Sequence, residues 1–316
     1  MYRANMRTLL VAIIVLLAGP ASARGLVLVL NSGDASLSVL DEGSGAEIRR
    51  VPVLREPHHF ALSPDGKELL AGDAGGNEVL FLDPKTGELR RRVPVADPYH
   101  LQFSPSGKWL VVTGLARSQV DVYEAATMRL VKRFPASSMP SHITFSPDSS
   151  MAFATLQGTN KLAAYDLNRL AIAWTSDVGS TPAGVLWHKD KLLVANMGTD
   201  SIVVVDPVDG RVERHIRTGR GAHQIFLAPD GRTLWVNNRV DGSTVALDAK
   251  TLDVLRSYKV SGGPDCIDFA ADGKLWITQR FIQKVGILDP ATGDVRSLPV
   301  GRSPHGIFLT AGVRDH

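Results

Sequence analysis

The sequence predicts an all-β fold built from repeated four-stranded units. One phrase recurs seven times, and its first residues lie 39 to 43 positions apart: Pro57, Pro98, Pro140, Pro182, Gly221, Pro264 and Pro304. Each copy contains short stretches of alternating apolar and polar residues between turns rich in Gly, Pro and Asp, which is the pattern of β-strands. No convincing helical pattern follows the N-terminal segment. A four-stranded unit repeated about every 40 residues is typical of the blades of a β-propeller.

Four landmarks follow one another in each copy. They are a Pro or Gly before an apolar strand, as in PHHFAL; a turn such as SPDG; a short strand such as LLVAN or LWVNN; and a strand with its turn, as in VVDPVDG. Six copies are complete, and the seventh is divided between LVLVLN, LSVLD and EIRRVPV near the beginning and PHGIFL near the end. We expect seven blades of four antiparallel strands, the last closed by N- and C-terminal strands, because such pairing leaves no open sheet edge.

The first 23 residues are predicted to be a secretory signal peptide. Arg3 and Arg7 precede the apolar run TLLVAIIVLLAG, and the small residues of ASA suit cleavage near Ala23. The run is shorter than the roughly 20 apolar residues that span a bilayer, so we expect no transmembrane segment in the mature chain. Residues 24–316 would then form a single propeller domain in the periplasm or outside the cell.

The net charge and the cysteine content argue against a nucleic-acid partner and against an internal disulfide. The formal net charge is +3, and two of the arginines belong to the predicted signal peptide, so the mature chain is nearly neutral and no nucleic-acid partner is predicted. Cys266 is the only cysteine. An exported chain with one cysteine forms no internal disulfide, so its stability has to come from its core.

The repeat also resembles a known family. The strands LLVAN and LWVNN, the turn SPDG and the exit VVDPVDG are similar to those of the YVTN-repeat propellers, which include the YncE-like periplasmic proteins. The resemblance covers nearly all of the mature chain. It implies a seven-bladed propeller and export, but this group includes binding proteins, surface proteins and enzymes, so the resemblance does not select a function.

Histidines concentrate at one place in the repeat, the second and third residues of the first landmark. This two-residue window holds six of the nine histidines and the cysteine: His58, His59, His100, His142, His223, His305 and Cys266. By analogy with other propellers, the first strand of each blade lines the central channel, so these side chains would converge at one mouth. Imidazole and thiolate bind copper, zinc and iron, which predicts a transition metal or a haem-like cofactor. The alternative is structural, since WD-type propellers use repeated histidines to hold turns.

Polar and basic residues are predicted around the same mouth. The second strand of several blades ends on a polar residue: Asn31, Asp73, Asn196, Asn238 and Gln279. Six arginines occupy related loop positions, Arg55, Arg220 and Arg302 before the first strand and Arg117, Arg239 and Arg280 after the second. With Asn196 and Asn238, they are candidates to bind a small anionic ligand such as a carboxylate or phosphate. The alternative is ordinary solvated loop charge.

Three propeller families are similar at this mouth. Nitrous-oxide reductase holds copper on a ring of histidines, and haem d1 propellers bind their cofactor with histidine and arginine; both resemblances imply a metal or metallo-cofactor. The stretch GKLWITQRFIQKVGILDPATG with SPHGI is similar to the repeat of streptogramin lyases, which implies an acid–base pair. Gln279 stands where such a repeat would offer an acidic residue, so His305 with Asp265 is the candidate catalytic pair.

Three hypotheses follow. The chain is a binding propeller with a metal ion or metallo-cofactor at the mouth, a lyase- or lactonase-type enzyme that uses the same mouth, or an interaction scaffold with a protein partner and structural histidines. Bound metal separates the first two from the third.

Overall fold

The structure is a computed structural model and describes residues 25–53 and 55–312. In chain order, the strands of this part are β1 (Leu26–Asn31), β2 (Ser36–Asp41), β3 (Glu47–Pro52), β4 (Pro57–Leu62), β5 (Leu69–Asp73), β6 (Glu78–Leu82), β7 (Leu89–Pro94), β8 (His100–Phe103), β9 (Trp109–Gly114), β10 (Gln119–Glu124), β11 (Arg129–Pro135), β12 (Pro140–Phe145), β13 (Met151–Leu156), β14 (Lys161–Asp166), β15 (Ala171–Asp177), β16 (Pro182–His188), β17 (Lys191–Asn196), β18 (Ser201–Val205), β19 (Val212–Arg217), β20 (Ala222–Leu227), β21 (Thr233–Asn238), β22 (Ser243–Asp248), β23 (Val254–Lys259), β24 (Pro264–Phe269), β25 (Leu275–Gln279), β26 (Lys284–Leu288), β27 (Val295–Pro299) and β28 (Pro304–Leu309). Two short 3-10 turns span Gln157–Thr159 and Thr310–Gly312. The predicted signal peptide, residues 1–23, lies outside the described residues.

The strands form seven four-stranded antiparallel sheets, which confirms the predicted seven-bladed propeller. Blade 1 contains β4–β7, blade 2 β8–β11, blade 3 β12–β15, blade 4 β16–β19, blade 5 β20–β23, blade 6 β24–β27, and blade 7 β28 with β1–β3. In blade 7, the last strand pairs with the first: Val27 stands opposite Leu309 and Leu28 opposite Phe308. The chain ends therefore close the ring, as the divided seventh repeat predicts.

The core lies between the blades. Seven apolar clusters of buried residues occupy the described part of the chain, one at each junction of neighbouring blades. The middle strands, such as β2 and β5, are buried along their whole length, whereas outer strands such as β3 and β7 are mostly exposed. Burial on both faces removes the alternation expected for a half-buried strand, because each middle strand has a neighbouring blade on either side.

The first strands form the innermost layer. They contact one another in sequence around the ring. Polar side chains of second strands hydrogen-bond to the main chain of the next blade: Thr113 Oγ1 donates to the Ser141 carbonyl at 2.5 Å and Thr155 Oγ1 to the Ala183 carbonyl at 2.6 Å. Asn237 and Thr278 make the equivalent bonds to Asp265 and His305. Since each of these carbonyls belongs to the first residue of the window, the bonds hold the window of one blade against the next.

Candidate functional site

The window is a β-bulge. In blade 1, Pro57 pairs with Asp73 and Phe60 with Ala71, so that His58 and His59 together stand opposite the single residue Gly72. The first strands of blades 3 to 7 have a register shift at the same place. A bulge bends the strand and redirects its side chains, so two consecutive residues need not point to opposite faces. The bulge therefore explains how both window positions supply side chains to one mouth.

The structure brings all six window histidines together in what we call the histidine cluster: His58, His59, His100, His142, His223 and His305. The ring of His59 lies at its centre, with centroids 4.4 Å from His305, 4.7 Å from His100 and 5.0 Å from His142. His223 joins through His142 at 5.4 Å. His58 Nδ1 and His305 Nδ1 lie 2.6 Å apart, so one donates a hydrogen bond to the other.

Most of these imidazoles keep a ring nitrogen that is buried and has no hydrogen-bond partner among the described residues. These atoms are His59 Nε2, His100 Nδ1, His142 Nε2, His305 Nε2 and both ring nitrogens of His223. His142 and His223 interact with the main chain of Ala183 and Asp265, but outside hydrogen-bond geometry. Buried polar atoms are nearly always paired in native proteins, so several unpaired nitrogens at one place require an explanation.

In the part of the chain that the structure describes, two groups of three His or Cys side chains have donor atoms close enough to share one metal ion. One is His59 with His100 and His142, and the other is His59 with Cys266 and His305; within each group the donor atoms lie within 4.8 Å of one another. His59 belongs to both groups. Cys266 Sγ also donates to Gln224 Oε1 at 3.4 Å.

Burial determines the protonation state of these groups. It lowers the pKa of His59 well below its usual value, with further contributions from the neighbouring imidazoles, and it has the same effect on His100 and His305. Burial and then Arg239 lower the pKa of His223 to about 3. Burial also raises the pKa of the Cys266 thiol well above its usual value. At neutral pH the imidazoles of His59, His100, His223 and His305 are therefore neutral, the form that binds a metal, whereas Cys266 has to lose its proton to do so.

Asp265 lies beside the cluster with two arginines. Its Oδ2 accepts hydrogen bonds from Arg239 Nη2 at 2.7 Å and Arg280 Nη1 at 3.3 Å. Its Oδ1 lies 3.1 Å from His223 Nδ1 and 3.5 Å from His305 Nε2, without hydrogen-bond geometry. Although complete burial opposes its ionisation, the two guanidinium groups hold the pKa of Asp265 below its usual range. The predicted pair His305 and Asp265 is thus adjacent in space.

The other four candidate arginines lie on exposed loops. Arg220 and Arg302 form ion pairs with Asp241 and Asp34 at 2.6 and 2.5 Å. Arg117 donates to Asn77 Oδ1 at 3.0 Å, and Arg55 is exposed. Only Arg239 and Arg280, among the six, reach Asp265.

The predicted asparagines hydrogen-bond to nearby segments of the fold, including the connection between blades 3 and 4. Asn196 Nδ2 donates to the Val178 carbonyl at 2.8 Å, and Asn238 Nδ2 donates to Ser243 Oγ at 3.1 Å. Both asparagines are fully buried. Their amide donors are therefore engaged within the fold.

Tyr99 and Glu56 belong to the site, although the sequence did not single them out. The Tyr99 ring lies 4.7 Å from that of His58 and 5.4 Å from that of His59. Tyr99 is the first window residue of blade 2, so extending the window rule to all residue types would have found it. Glu56 Oε1 lies 3.2 Å from His58 Nε2, and its position just before the window gives no comparable signal.

Two large cavities lie at the far end of the inner strands. Their volumes are 690 and 710 Å³, and Glu42 and Ala270 line both. Neither cavity is lined by a residue of the histidine cluster. The mouth of the histidine cluster is instead filled by imidazole rings in contact with one another.

Comparison with known proteins identifies the family. The family model of the YNCE-like β-propellers matches residues 9–313. The chain belongs to this family. Among the described residues of this YNCE-like propeller, no helix is long and apolar enough to cross a membrane. No curated protein matches the sequence.

Solved structures similar to this YNCE-like propeller share its fold at low sequence identity. Dihydro-haem d1 dehydrogenase NirN, solved in complex with DHE, is 16% identical with a TM-score of 0.68, over 93% of this chain and 77% of the other. A functionally unknown protein from Desulfotomaculum acetoxidans is 11% identical with a TM-score of 0.77, over 90% and 98%. A candidate 6-phosphogluconolactonase from Bacteroides fragilis is 17% identical with a TM-score of 0.72, over 92% and 99%. At such identities the likeness concerns the fold alone.

Proposed function

We propose that this YNCE-like propeller is an exported protein that binds one transition-metal ion within the histidine cluster. The observation that carries the proposal is the set of buried, unpartnered ring nitrogens around His59. A structural histidine uses its nitrogens in hydrogen bonds, because an unsatisfied buried polar atom costs about 1–3 kcal/mol. A metal ion would occupy several of these nitrogens at once.

The donor set favours particular metals. Neutral imidazoles suit zinc, copper and iron, and the thiol of Cys266 adds a soft donor that favours copper or zinc. Because the rings already contact one another across the mouth, an ion fits between their nitrogens, whereas a haem-like macrocycle would require the rings to separate. A metal ion is therefore preferred to a haem-like cofactor.

Export is part of the proposal. It rests on the charged and apolar pattern of residues 1–23 and on the single cysteine, and it places the metal site in the periplasm or outside the cell.

An enzymatic role for His305 and Asp265 is the second candidate. One observation favours it, the 3.5 Å separation of His305 Nε2 and Asp265 Oδ1. Both side chains are completely buried, so a substrate could reach them only after the mouth rearranged. The arginine-bound carboxylate is better suited to orient a neighbour than to exchange protons.

Titration of the metal-free protein tests the proposal. The mature chain, stripped with a chelator, is titrated with Zn²⁺ and Cu²⁺ while heat and bound metal are measured. We expect one ion per chain and a loss of affinity of about a hundredfold or more in His59→Ala, because His59 belongs to both donor groups.

The matched control is His215→Ala, since His215 is exposed on the outer strand β19 and lies outside the cluster. This control has to bind metal like the unchanged protein. Failure of the unchanged protein to bind either ion, or full affinity in a folded His59→Ala variant, would overturn the proposal and favour the scaffold hypothesis.

A further inference from the structure

The arrangement of Arg239 and Arg280 is unusual for residues that only hold a carboxylate. Both guanidinium groups donate to the same oxygen of Asp265, one hydrogen bond each. A guanidinium carries five N–H donors, so most donors of this pair have no partner in the described part of the chain. Arg239 Nε in particular is buried and donates to nothing there.

A second buried aspartate of the same chain shows what a purely structural pair looks like. Asp121, almost completely buried, accepts two hydrogen bonds from the single residue Arg133, from Nε at 2.8 Å and from Nη2 at 2.7 Å. One arginine thus neutralises one carboxylate in the bidentate geometry that such pairs favour, and Gln119 Nε2 and Tyr123 OH also donate to Asp121 Oδ2, at 3.1 and 3.4 Å. At Asp265 two arginines each make one bond, so donors remain available and the positive charge of the pair exceeds the charge of the carboxylate.

The neighbouring carboxylate of Glu56 offsets part of this excess. Its side chain is 55% exposed and lies close to His58, with which it shares its short contact. The hydrogen bond from His58 is the main cause of the lowered pKa of Glu56, and Arg280 contributes less. Glu56 therefore acts on Arg280 from a distance and through solvent, and it leaves the guanidinium donors free.

We infer that Arg239 and Arg280 form a binding subsite for a small oxyanion, a carboxylate by preference, beside the histidine cluster. Planar guanidinium forks match the two oxygens of a carboxylate. The arginine side chains are 17% and 23% exposed, so they are largely desolvated but still reachable from solution. Hydrogen bonds from such partly buried cations are stronger than those from fully solvated loop arginines.

The subsite extends the proposed metal function, and its coupling to the metal rests on that function. Both cations donate to Asp265, whose Oδ1 lies 3.5 Å from His305 Nε2, so their positive charge stands beside the cluster and opposes further positive charge there. It therefore opposes a metal ion as well. A bound anion cancels part of this repulsion, and by linkage the anion and the metal each raise the affinity for the other.

The experiment separates the anion site from the metal site. Metal-free protein is titrated calorimetrically with succinate and with inorganic phosphate at constant ionic strength, and the titrations are repeated after saturation with Zn²⁺. We expect succinate to bind the metal-free protein, more tightly than phosphate does, and to bind the zinc form more tightly still.

Arg280→Gln is the test variant, because Asp265 keeps its shorter bond to Arg239. We expect succinate affinity to fall about tenfold or more, as for the loss of hydrogen bonds to a charged group. The matched control is Arg117→Gln, which removes an exposed arginine from the corresponding loop of blade 2 and has to leave the affinity unchanged. A third variant, Glu56→Gln, removes the opposing charge and should tighten succinate binding.

Three results would overturn the inference. They are no binding of either anion by the folded protein, equal affinity in the Arg280→Gln and unchanged proteins, and tighter binding of phosphate than of succinate, which would refute the carboxylate assignment. Because the first titrations contain no metal, a failure of zinc to bind would refute the proposed function and leave the anion result intact.

Discussion

Buried histidines at the two ends of the inner strands differ in their hydrogen bonding. At the far end, His188 closes β16 and is 7% exposed; its Nε2 donates to the Ala249 carbonyl of blade 5 at 2.6 Å. At the window end, His59 is 4% exposed, yet its Nε2 has no partner within residues 25–53 and 55–312. Burial is the same, so it cannot distinguish the two roles. The difference lies in the ring nitrogens, which stabilise the fold at one end and remain available to a ligand at the other.

Of the changes that distinguish the two ends, acidification should have the largest effect on folding stability. The five cluster histidines with lowered pKa values are His59, His100, His142, His223 and His305. Below pH about 6.5 the unfolded chain protonates these five residues while they stay neutral in the folded protein, so the unfolded state binds more protons and stability falls. The expected loss is at most about 1 kcal/mol per histidine between pH 6.5 and 5.5, and less between pH 7.5 and 6.5. Urea unfolding of the metal-free protein at pH 7.5, 6.5 and 5.5 measures it.

The titration of buried carboxyl groups sets the pH range in which this experiment reports on the histidines. Burial raises the pKa of Asp268 to about 6 and also raises the pKa values of Glu42 and Asp97, so these three carboxyls stabilise the folded state on acidification and oppose the effect of the five histidines. The pKa of Asp265 is lowered in the folded protein, so this carboxylate stabilises the fold at neutral pH. That stabilisation is lost only below about pH 4, where aspartate in the unfolded chain takes up protons. A His100→Gln variant should show a shallower slope between pH 6.5 and 5.5. An unfolding midpoint that does not change with pH would contradict the neutral cluster.

The window end also differs between blades, and Gly184 shows why. A Cβ placed on Gly184 would lie 2.7 Å from Gln224 Cα and 2.8 Å from the His223 carbonyl oxygen, both in the main chain of the next blade. Blade 4 therefore has no room for a side chain at this position. We expect Gly184→Ala to lower the free energy of unfolding by about 1–3 kcal/mol, the usual cost of overpacking.

Gly43→Ala is the control for this comparison. The nearest atom to its added Cβ is Asp41 Oδ1 at 3.6 Å, an ordinary contact, and its effect should stay within about 0.5 kcal/mol. Equal stabilities of the two alanine variants, measured by urea unfolding, would show that blades 4 and 5 can move apart at the window.

The sequence predicted the ring because repeat spacing and turn residues report directly on blades, and it predicted the convergence of His59, His100 and His142 because equivalent positions in a ring share one mouth. It could not separate Arg239 and Arg280 from Arg117 or Arg220, since the direction of a long loop side chain depends on its partners in space. The β-bulge at the window could not be predicted from the sequence either. Two histidines in succession, at His58 and His59, were its only trace, because a regular strand would direct them to opposite faces.

Replacing one histidine at each end by phenylalanine should change the free energy of unfolding least of all. The sign of the change should nevertheless differ between the two ends. His188→Phe keeps a ring of similar size but removes the donor to Ala249, whose carbonyl still accepts from Lys189 Nζ at 2.8 Å. The free energy of unfolding should fall by about 1 kcal/mol. His100→Phe, in metal-free protein at pH 7.5, removes a buried nitrogen that has no partner, so stability should stay the same or rise. If urea unfolding shows the same loss for both variants, the cluster histidines stabilise the fold as His188 does, and the difference between the two ends disappears.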